Sequence, residues 1–320
     1  MSQQEEIHDK MIGCLYGQAI GDALGFGTEA MSKEDVKKHY PFGLRTYDEI
    51  IQDNRRKGWP IGMWTDDTEM MLCALDAFIK DKQLIPKTLA RIFLDWYDIM
   101  GHTCGILTKK AINFAPPLYE NDPISVAKLV WNLKGCDNAP NGGLMRTSII
   151  GLWPKDVVAN AELLCQMTHY DPRCVGSCVI ASIIIYNLVW ENRMTNIDEI
   201  IKIGHNYDDR IEEWIKLAYN NNDISALELD NKESMAYTLR TLAAALWSYW
   251  HSNSFEEGLL TIVNEGGDAD TNAAIAGAIL GAKFNYKSIP SCYIHNLYNE
   301  KKYSTKCESF AKLAMLATNK

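Results

Sequence analysis

MIGCLYGQAIGDALGFG (residues 11–27) places a glycine at every fourth position. On an α-helix these four glycines would share one slowly drifting face that carries no side chain. Each glycine costs up to roughly 1 kcal/mol of helix propensity relative to alanine, so the repeat needs a compensating contact. Either a ligand or a second helix lying against this face would supply it, and AGAILGA (residues 276–282) is the matching candidate. The contact would join two sets of glycines, namely Gly13, Gly17, Gly21 and Gly25 with Gly277 and Gly281.

The rest of the 320-residue chain has helical periodicity throughout, without convincing strand alternation. Linkers are short, and no Gly/Ser-rich or low-complexity segment marks a domain boundary. We therefore predict one all-α domain over residues 1–320, with its longest irregular stretch at residues 40–63. The predicted helices begin near Glu5, Ser32, Thr65, Pro86, Leu107, Ile124, Gly142, Val157, Pro172, Ile197, Asp208, Lys232, Phe255 and Thr271.

Composition limits the partners and the compartment. The net charge of −9 makes nucleic acid an unfavourable general partner. Nine cysteines form no C-x-x-C pair, which favours reduced thiols in a cytoplasmic protein over zinc sites or disulfides. The polar N-terminus does not resemble a signal peptide, and the most apolar run, residues 175–190, is short for a membrane span. We expect a soluble cytoplasmic monomer without membrane contact.

Two distant segments combine aspartates with threonines in front of an apolar run. They are WTDDTEMML (residues 64–72) and NEGGDADTNAAIAG (residues 264–277). At a helix N-terminus, such side chains cap free N–H groups, and the helix dipole favours their negative charge. Capping explains one acid for each helix, but each segment has two. The four acids are Asp66, Asp67, Asp268 and Asp270.

A group of buried carboxylates needs cations, and neither segment has a lysine or arginine close by in sequence. Hard divalent cations prefer carboxylate, hydroxyl and water oxygens. Four aspartates balance two Mg²⁺ or Mn²⁺ ions in formal charge, with hydroxyls of Thr65, Thr68 or Thr271 available as further ligands. This hypothesis requires the two segments to meet in space, and plain helix capping is the alternative. Asp22, beside the glycine repeat, is a further candidate for the same site.

The ordered motifs of the chain resemble those of the ADP-ribosylglycohydrolase family. The motifs are GDALG (residues 21–25) followed by Glu29, TDDT (65–68), NGGLMR (141–146), THYDP (168–172) and GGDADTNAA (266–274). Each motif is weak by itself, but five in the correct order are specific. The resemblance implies a compact orthogonal helical bundle with a dinuclear Mg²⁺ or Mn²⁺ centre. It also implies a reaction, hydrolysis of the bond between the anomeric carbon of ADP-ribose and a side chain of a modified protein.

The resemblance also assigns roles to individual residues. It implies that the metal ligands are Thr65, Asp66, Asp67, Asp268, Asp270 and Thr271. Candidates for acid/base chemistry are Asp67, Glu29, which could instead gate the site, and Asp98, which could equally be an acid on an exposed helix end.

The expected substrate contacts lie in three loops. In YDIMGHTCG (residues 97–105), backbone N–H groups of Gly101 and Gly105 would suit a pyrophosphate, and His102 and Thr103 are further candidate contacts. In the other two loops, Asn141 and Gly142 would cradle phosphate and His169 would lie near the ribose, while Arg146 is expected to be a buried ion-pair partner of the acids.

Two questions stay open at this point. The leading acceptor is arginine on a protein, but serine, nucleic acid or a small molecule would fit the same chemistry. A protein that binds ADP-ribose or a toxin without catalysis, in an immunity or structural role, is the alternative from another class.

Overall fold

Seventeen α-helices make up the computed structural model, which describes residues 2–101 and 104–318. They are α1 (Gln3–Gly25), α2 (Lys33–His39), α3 (Asp66–Asp81), α4 (Pro86–Met100), α5 (Ile106–Asn113), α6 (Pro116–Asn121), α7 (Pro123–Leu133), α8 (Ser148–Gly151), α9 (Val157–Gln166), α10 (Pro172–Val189), α11 (Ile197–His205), α12 (Arg210–Asn220), α13 (Thr238–His251), α14 (Phe255–Val263), α15 (Ala269–Phe284), α16 (Ser291–His295) and α17 (Glu300–Ala317). The described backbone contains no β-strand, so the predicted all-helical fold is confirmed.

The glycine repeat holds α1 directly against α15. The two helices run antiparallel, and Gly17 faces the Gly277 carbonyl while Gly13 faces the Gly281 carbonyl. A Cβ atom at either α1 position would overlap that carbonyl oxygen, so the backbones approach as closely as glycine allows. The predicted contact between these segments is confirmed. Its position matters because the register brings Gly25 beside Ala269, at the first turn of α15.

The other helices surround this pair. α13 and α14 pack on α15, and α10 packs on α8, α9 and α15. By length and composition α10 could cross a membrane, but 83% of it is buried within the fold, as predicted for a core helix. All nine cysteines are free, and seven of them are buried.

Several helix starts differ from the sequence prediction. Residues 141–146 form a 3₁₀-helix rather than the start of an α-helix, and α13 begins at Thr238, six residues after the predicted Lys232. The short helices α6 and α16 were not predicted, and neither was the C-terminal helix α17. Its buried residues, such as Tyr303, Cys307 and Phe310, recur at helical spacing, but the lysines and glutamates between them make the pattern faint.

Candidate active site

The first turns of α3 and α15 open onto the same cleft, which has a volume of about 810 Å³. Thr65 caps α3, where its hydroxyl accepts the Asp67 N–H at 3.4 Å, and α15 begins at Ala269. Residues from both acidic segments line the cleft together with the Asn141 loop and the start of α5. The predicted site residues among the lining are Glu29, Asp66, Asp67, Gly105, Asn141, Gly142, His169, Asp268, Asp270 and Thr271.

Asp22 orients the α3 segment by accepting hydrogen bonds from it. It is fully buried on α1, where one carboxylate oxygen accepts the Thr65 N–H at 2.9 Å. The other oxygen accepts both the N–H and the hydroxyl of Thr68, at 2.9 and 2.6 Å. Burial raises the pKa of Asp22 to about 6, although these hydrogen bonds oppose the shift. Asp22 therefore positions the first turn of α3 and does not line the cleft. The glycine contact between α1 and α15 fixes where Asp22 lies relative to the start of α15.

The α15 segment is oriented by different partners. Asn141 donates hydrogen bonds to Asp268 at 2.6 Å and to Thr241 at 2.8 Å. The Asn141 loop is itself tied to the segment before α13, since the Asn141 N–H donates to the Ala236 carbonyl at 3.0 Å. Asp270 accepts the Thr271 N–H at 2.9 Å. The side-chain amide of Asn141 thus contacts Asp268 directly. The sequence analysis had assigned Asn141 only to phosphate binding.

The four aspartates have raised pKa values. Burial is the main cause in each case, and neighbouring carboxylates add to it. The pKa of Asp66 rises to about 7 and that of Asp268 to about 6, and those of Asp67 and Asp270 are raised well above their ordinary value. Such shifts arise where negative charge lacks compensation by positive side chains.

Basic side chains compensate the four aspartates only in part, since Arg55 lines the cleft and lowers the pKa of Asp268 without forming an ion pair with it. Among residues 2–101 and 104–318, no lysine or arginine forms an ion pair with any of the four aspartates. The predicted ion-pair role of Arg146 is wrong. Its guanidinium is buried and donates to the Leu164 carbonyl and the Thr168 hydroxyl, and it stacks 5.0 Å from the Phe93 ring centre. A planar, delocalised cation tolerates this environment because carbonyl, hydroxyl and ring partners replace a carboxylate.

Glu29 lies at the opening, where Arg55 donates to both of its carboxylate oxygens. Carboxylate oxygens of Glu29, Asp268 and Asp270 lie within 4.8 Å of one another, close enough to share a metal ion. One oxygen of Asp67 is buried without a hydrogen-bond partner. An orphaned carboxylate oxygen beside clustered carboxylates fits hard divalent cations, whose preferred ligands are such oxygens. The donor set therefore fits the cations that the sequence implied.

His169 also lines the cleft. Its Nε2 lies on the side of Gly142, where a Cβ atom would be 3.0 Å away, so only glycine leaves this space open. Its Nδ1 lies 2.7 Å from the Thr168 hydroxyl, which also accepts a hydrogen bond from Arg146 at 2.7 Å. Because the buried hydroxyl has one proton to donate, Nδ1 is the acceptor that satisfies it. Burial lowers the pKa of His169, so the ring is neutral and carries its proton on Nε2.

The loop at residues 97–105 is only partly joined to the cleft. Gly105 lines it, whereas Gly101 is buried at the end of α4 outside the lining. Asp98 is exposed on α4 and also lies outside the lining, so the structure does not bring it to the acidic cluster. His102 and Thr103 lie outside the described residues. The sequence analysis had placed the whole loop at the site.

Comparisons with known proteins agree with this fold and cleft. A model of the family described as ADP-ribosylglycohydrolase matches residues 3–320. The chain is 26% identical to the ADP-ribosyl-[dinitrogen reductase] glycohydrolase of Rhodospirillum rubrum, over 91% of each protein. It is 25% identical to the ADP-ribosylarginine hydrolase Tri1 of Serratia proteamaculans, over 97% of this chain and 81% of that protein.

A solved structure extends the likeness to three dimensions. The protein titled ADP-ribosylglycohydrolase-related protein complex aligns with a TM-score of 0.73 at 23% identity, covering 97% of this chain and 99% of that one. At this identity the likeness supports the all-helical fold alone. Together with the match over nearly the whole sequence, it leads to one conclusion: the chain belongs to the ADP-ribosylglycohydrolase family.

Proposed function

We propose that this protein removes ADP-ribose from a modified protein side chain, with arginine as the leading acceptor, and that the reaction requires divalent cations. The observation that carries the proposal is the meeting of both acidic segments in one cleft, where no lysine or arginine of the described residues forms an ion pair with any of the four aspartates. The names of two relatives, an ADP-ribosylarginine hydrolase and a glycohydrolase of ADP-ribosylated dinitrogen reductase, support a protein substrate.

The residues that would hold the cations are Thr65, Asp66, Asp67, Asp268, Asp270 and Thr271. Cations bound there would orient the ribose hydroxyls and lower the pKa of a bound water. Two cations match the four aspartate charges, and either Mg²⁺ or Mn²⁺ suits oxygen ligands.

The chain's own groups would bind and orient the sugar. The Nε2–H of His169 would donate to a ribose or phosphate oxygen in the cleft. Such fixed placement of reacting groups supplies much of the rate gain in enzymes. Cleavage at an anomeric carbon develops oxocarbenium character, which nearby carboxylates stabilise. Glu29 and Asp67 are our candidates for proton transfer, and the exposed position of Asp98 gives that residue no support in the role.

A release assay tests the proposal. Proteins ADP-ribosylated on arginine or on serine are incubated with the enzyme in Mg²⁺, in Mn²⁺ and in chelator, and free ADP-ribose is quantified. We expect release with a divalent cation, loss with chelator, and a preference for the arginine linkage. Tight ADP-ribose binding without release from any acceptor would contradict the proposal and favour a non-catalytic binder.

Matched variants locate the site. Asp270→Asn should reduce release by more than about 100-fold, because even groups that only support metal ligands typically contribute 10- to 100-fold. Asp95→Asn is the control, since Asp95 is an exposed acid on α4 that lies outside the cleft lining. Equal activity of the two variants would refute the cluster as the active site. Asp98→Asn tests the remaining acid/base candidate separately.

A further inference from the structure

A second depression, the lysine groove, lies on the surface between α5 and α7 and has a volume of about 720 Å³. Its lining includes Lys109, Lys110, Phe114, Val130, Leu133 and Lys134. Lys134 also lines the active-site cleft, so the groove and the cleft share a wall. The groove is therefore placed where a large substrate would rest while its modified side chain enters the cleft.

Positive charge is concentrated in the lysine groove. No acidic residue lines it, and among the described residues neither Lys110 nor Lys134 forms an ion pair. The two ammonium groups lie close enough that the neighbouring Lys134 lowers the pKa of Lys110. Like charges held side by side repel each other, and a bound anion relieves the repulsion. This local positive charge stands out on a protein whose net charge is −9.

Apolar side chains lie exposed beside these lysines. Leu133 is 68% exposed and Phe114 is 47% exposed in the groove, and Ile106, 73% exposed, continues the apolar surface to the cleft. Single exposed apolar residues are common on protein surfaces, but a group next to a binding cleft is typical of an interaction site. A small anion such as free phosphate would leave these side chains uncovered.

We infer that the lysine groove is a docking surface for an acidic, partly apolar segment of the ADP-ribosylated protein that is bound in the adjacent cleft. The inference rests on the proposed function, because it names the partner of the same site. Carboxylates of the segment would pair with Lys110 and Lys134, and an aliphatic or aromatic side chain would cover Phe114 and Leu133. Complementary charge at an interface gives specificity and speeds association. The groove would thus select among modified proteins, while the cleft recognises ADP-ribose.

Two peptides that differ only in their flanking residues provide the test. Both carry one ADP-ribosylated side chain of the type that the release assay identifies, but one has Asp, Glu and Leu flanks and the other has Gly and Ser flanks. The third substrate is the ADP-ribosylated amino acid alone. Steady-state kinetics with the wild-type enzyme should give a lower KM for the acidic peptide than for the neutral one, with a similar kcat.

The variant Lys110→Glu removes the attraction of this ammonium group and introduces repulsion, and Lys110 lies outside the cleft lining. We expect it to raise the KM for the acidic peptide about fivefold, which is the change in affinity that the loss of one exposed ion pair produces. Its KM for the neutral peptide and for the modified amino acid should stay unchanged. The control variant Lys312→Glu has the same charge change on α17, away from both lining sets, and should behave as wild type.

Three results would overturn the inference. The first is an equal KM of the wild-type enzyme for both peptides, and the second is an unchanged KM of the groove variant for the acidic peptide. The third is an equal rise in KM for the modified amino acid, which would mean that the lysines bind ADP-ribose itself. If the wild-type enzyme hydrolyses nothing, the proposed function fails, and fluorescence anisotropy with the unmodified, fluorescein-labelled peptides still decides the docking. A preference for the acidic peptide that only the groove variant abolishes would then support the surface.

Discussion

The Asp22 carboxylate lies 2.6 Å from the Thr68 hydroxyl and accepts the Thr68 N–H at 2.9 Å through the same oxygen. This contact joins α1 to the first turn of α3, and the Thr65 N–H donates to the other oxygen of Asp22. This buried acceptor holds the turn of the chain that carries Asp66 and Asp67. Asp22 is a positioning residue for the candidate metal site, although no part of it lines the cleft.

Replacing Asp22 by asparagine should weaken both folding and cation binding. The amide offers one acceptor oxygen where three donors converge, so at least one buried N–H or hydroxyl loses its partner. An unsatisfied buried group costs about 1–3 kcal/mol. Urea denaturation should report a loss of this size, and calorimetric titration with Mn²⁺ should report weaker binding. The control Thr68→Ser keeps the hydroxyl and should bind Mn²⁺ as the wild type does, while unchanged Mn²⁺ affinity in Asp22→Asn would contradict the positioning role.

The seam between α1 and α15 predicts a strong effect of a single methyl group. Gly17→Ala would drive a Cβ atom into the Gly277 carbonyl and force the helices apart. Overpacking of this kind typically costs about 1–3 kcal/mol. Thermal and urea denaturation should show that loss. Gly105→Ala serves as the stability control, since no atom lies within 4 Å of the added Cβ. Similar stability of the two variants would show that α1 and α15 can separate enough to admit the methyl group without a loss of stability.

The Thr168 hydroxyl should fix the tautomer of His169. Thr168→Val removes the proton donor to Nδ1 and one acceptor of Arg146, so the ring can place its proton on either nitrogen. The KM for the ADP-ribosylated substrate should rise more than kcat falls. Nitrogen-15 NMR of labelled histidine reads the tautomer directly, and Thr168→Ser should rescue both measurements. A single Nε2–H tautomer that persists in Thr168→Val would exclude the hydroxyl as its cause.

The buried carboxylate of Asp171 should make the free energy of unfolding depend on pH in the acid range. Burial alone would raise the pKa of Asp171, but hydrogen bonds from Arg173 and Trp131 outweigh burial and lower it below the ordinary 3.8. A lowered folded-state pKa contributes stability above pH 3.8, and the contribution is lost as the pH falls through the lowered value. The free energy of unfolding of Asp171→Asn should therefore approach that of wild type as the pH falls from about 7 to about 3. A constant difference across this range would contradict the assignment.

Much of the fold was predictable because close helix packing leaves a local mark. The four-residue glycine repeat at residues 11–27 and the glycines near residue 280 indicate a contact between two helices. Glycine inside a helix lowers helix stability, and close packing of a second backbone compensates for that loss. A helix with a weak amphipathic pattern has no such signal in its sequence, and α17 was not predicted for that reason. The cap at Thr65 was also predictable, because side-chain capping is decided within one turn.

The sequence by itself determined that two acid-rich helix starts lacked nearby cations, and that their motifs occur in a family order. Tertiary structure decided which groups share a space. It joined Asp67 to Asp270 across a cleft and left Asp98 exposed outside it. It also placed Arg146 among carbonyl, hydroxyl and ring partners. Side-chain direction and long-range register depend on packing between helices distant in sequence, so residue type and spacing alone do not determine them.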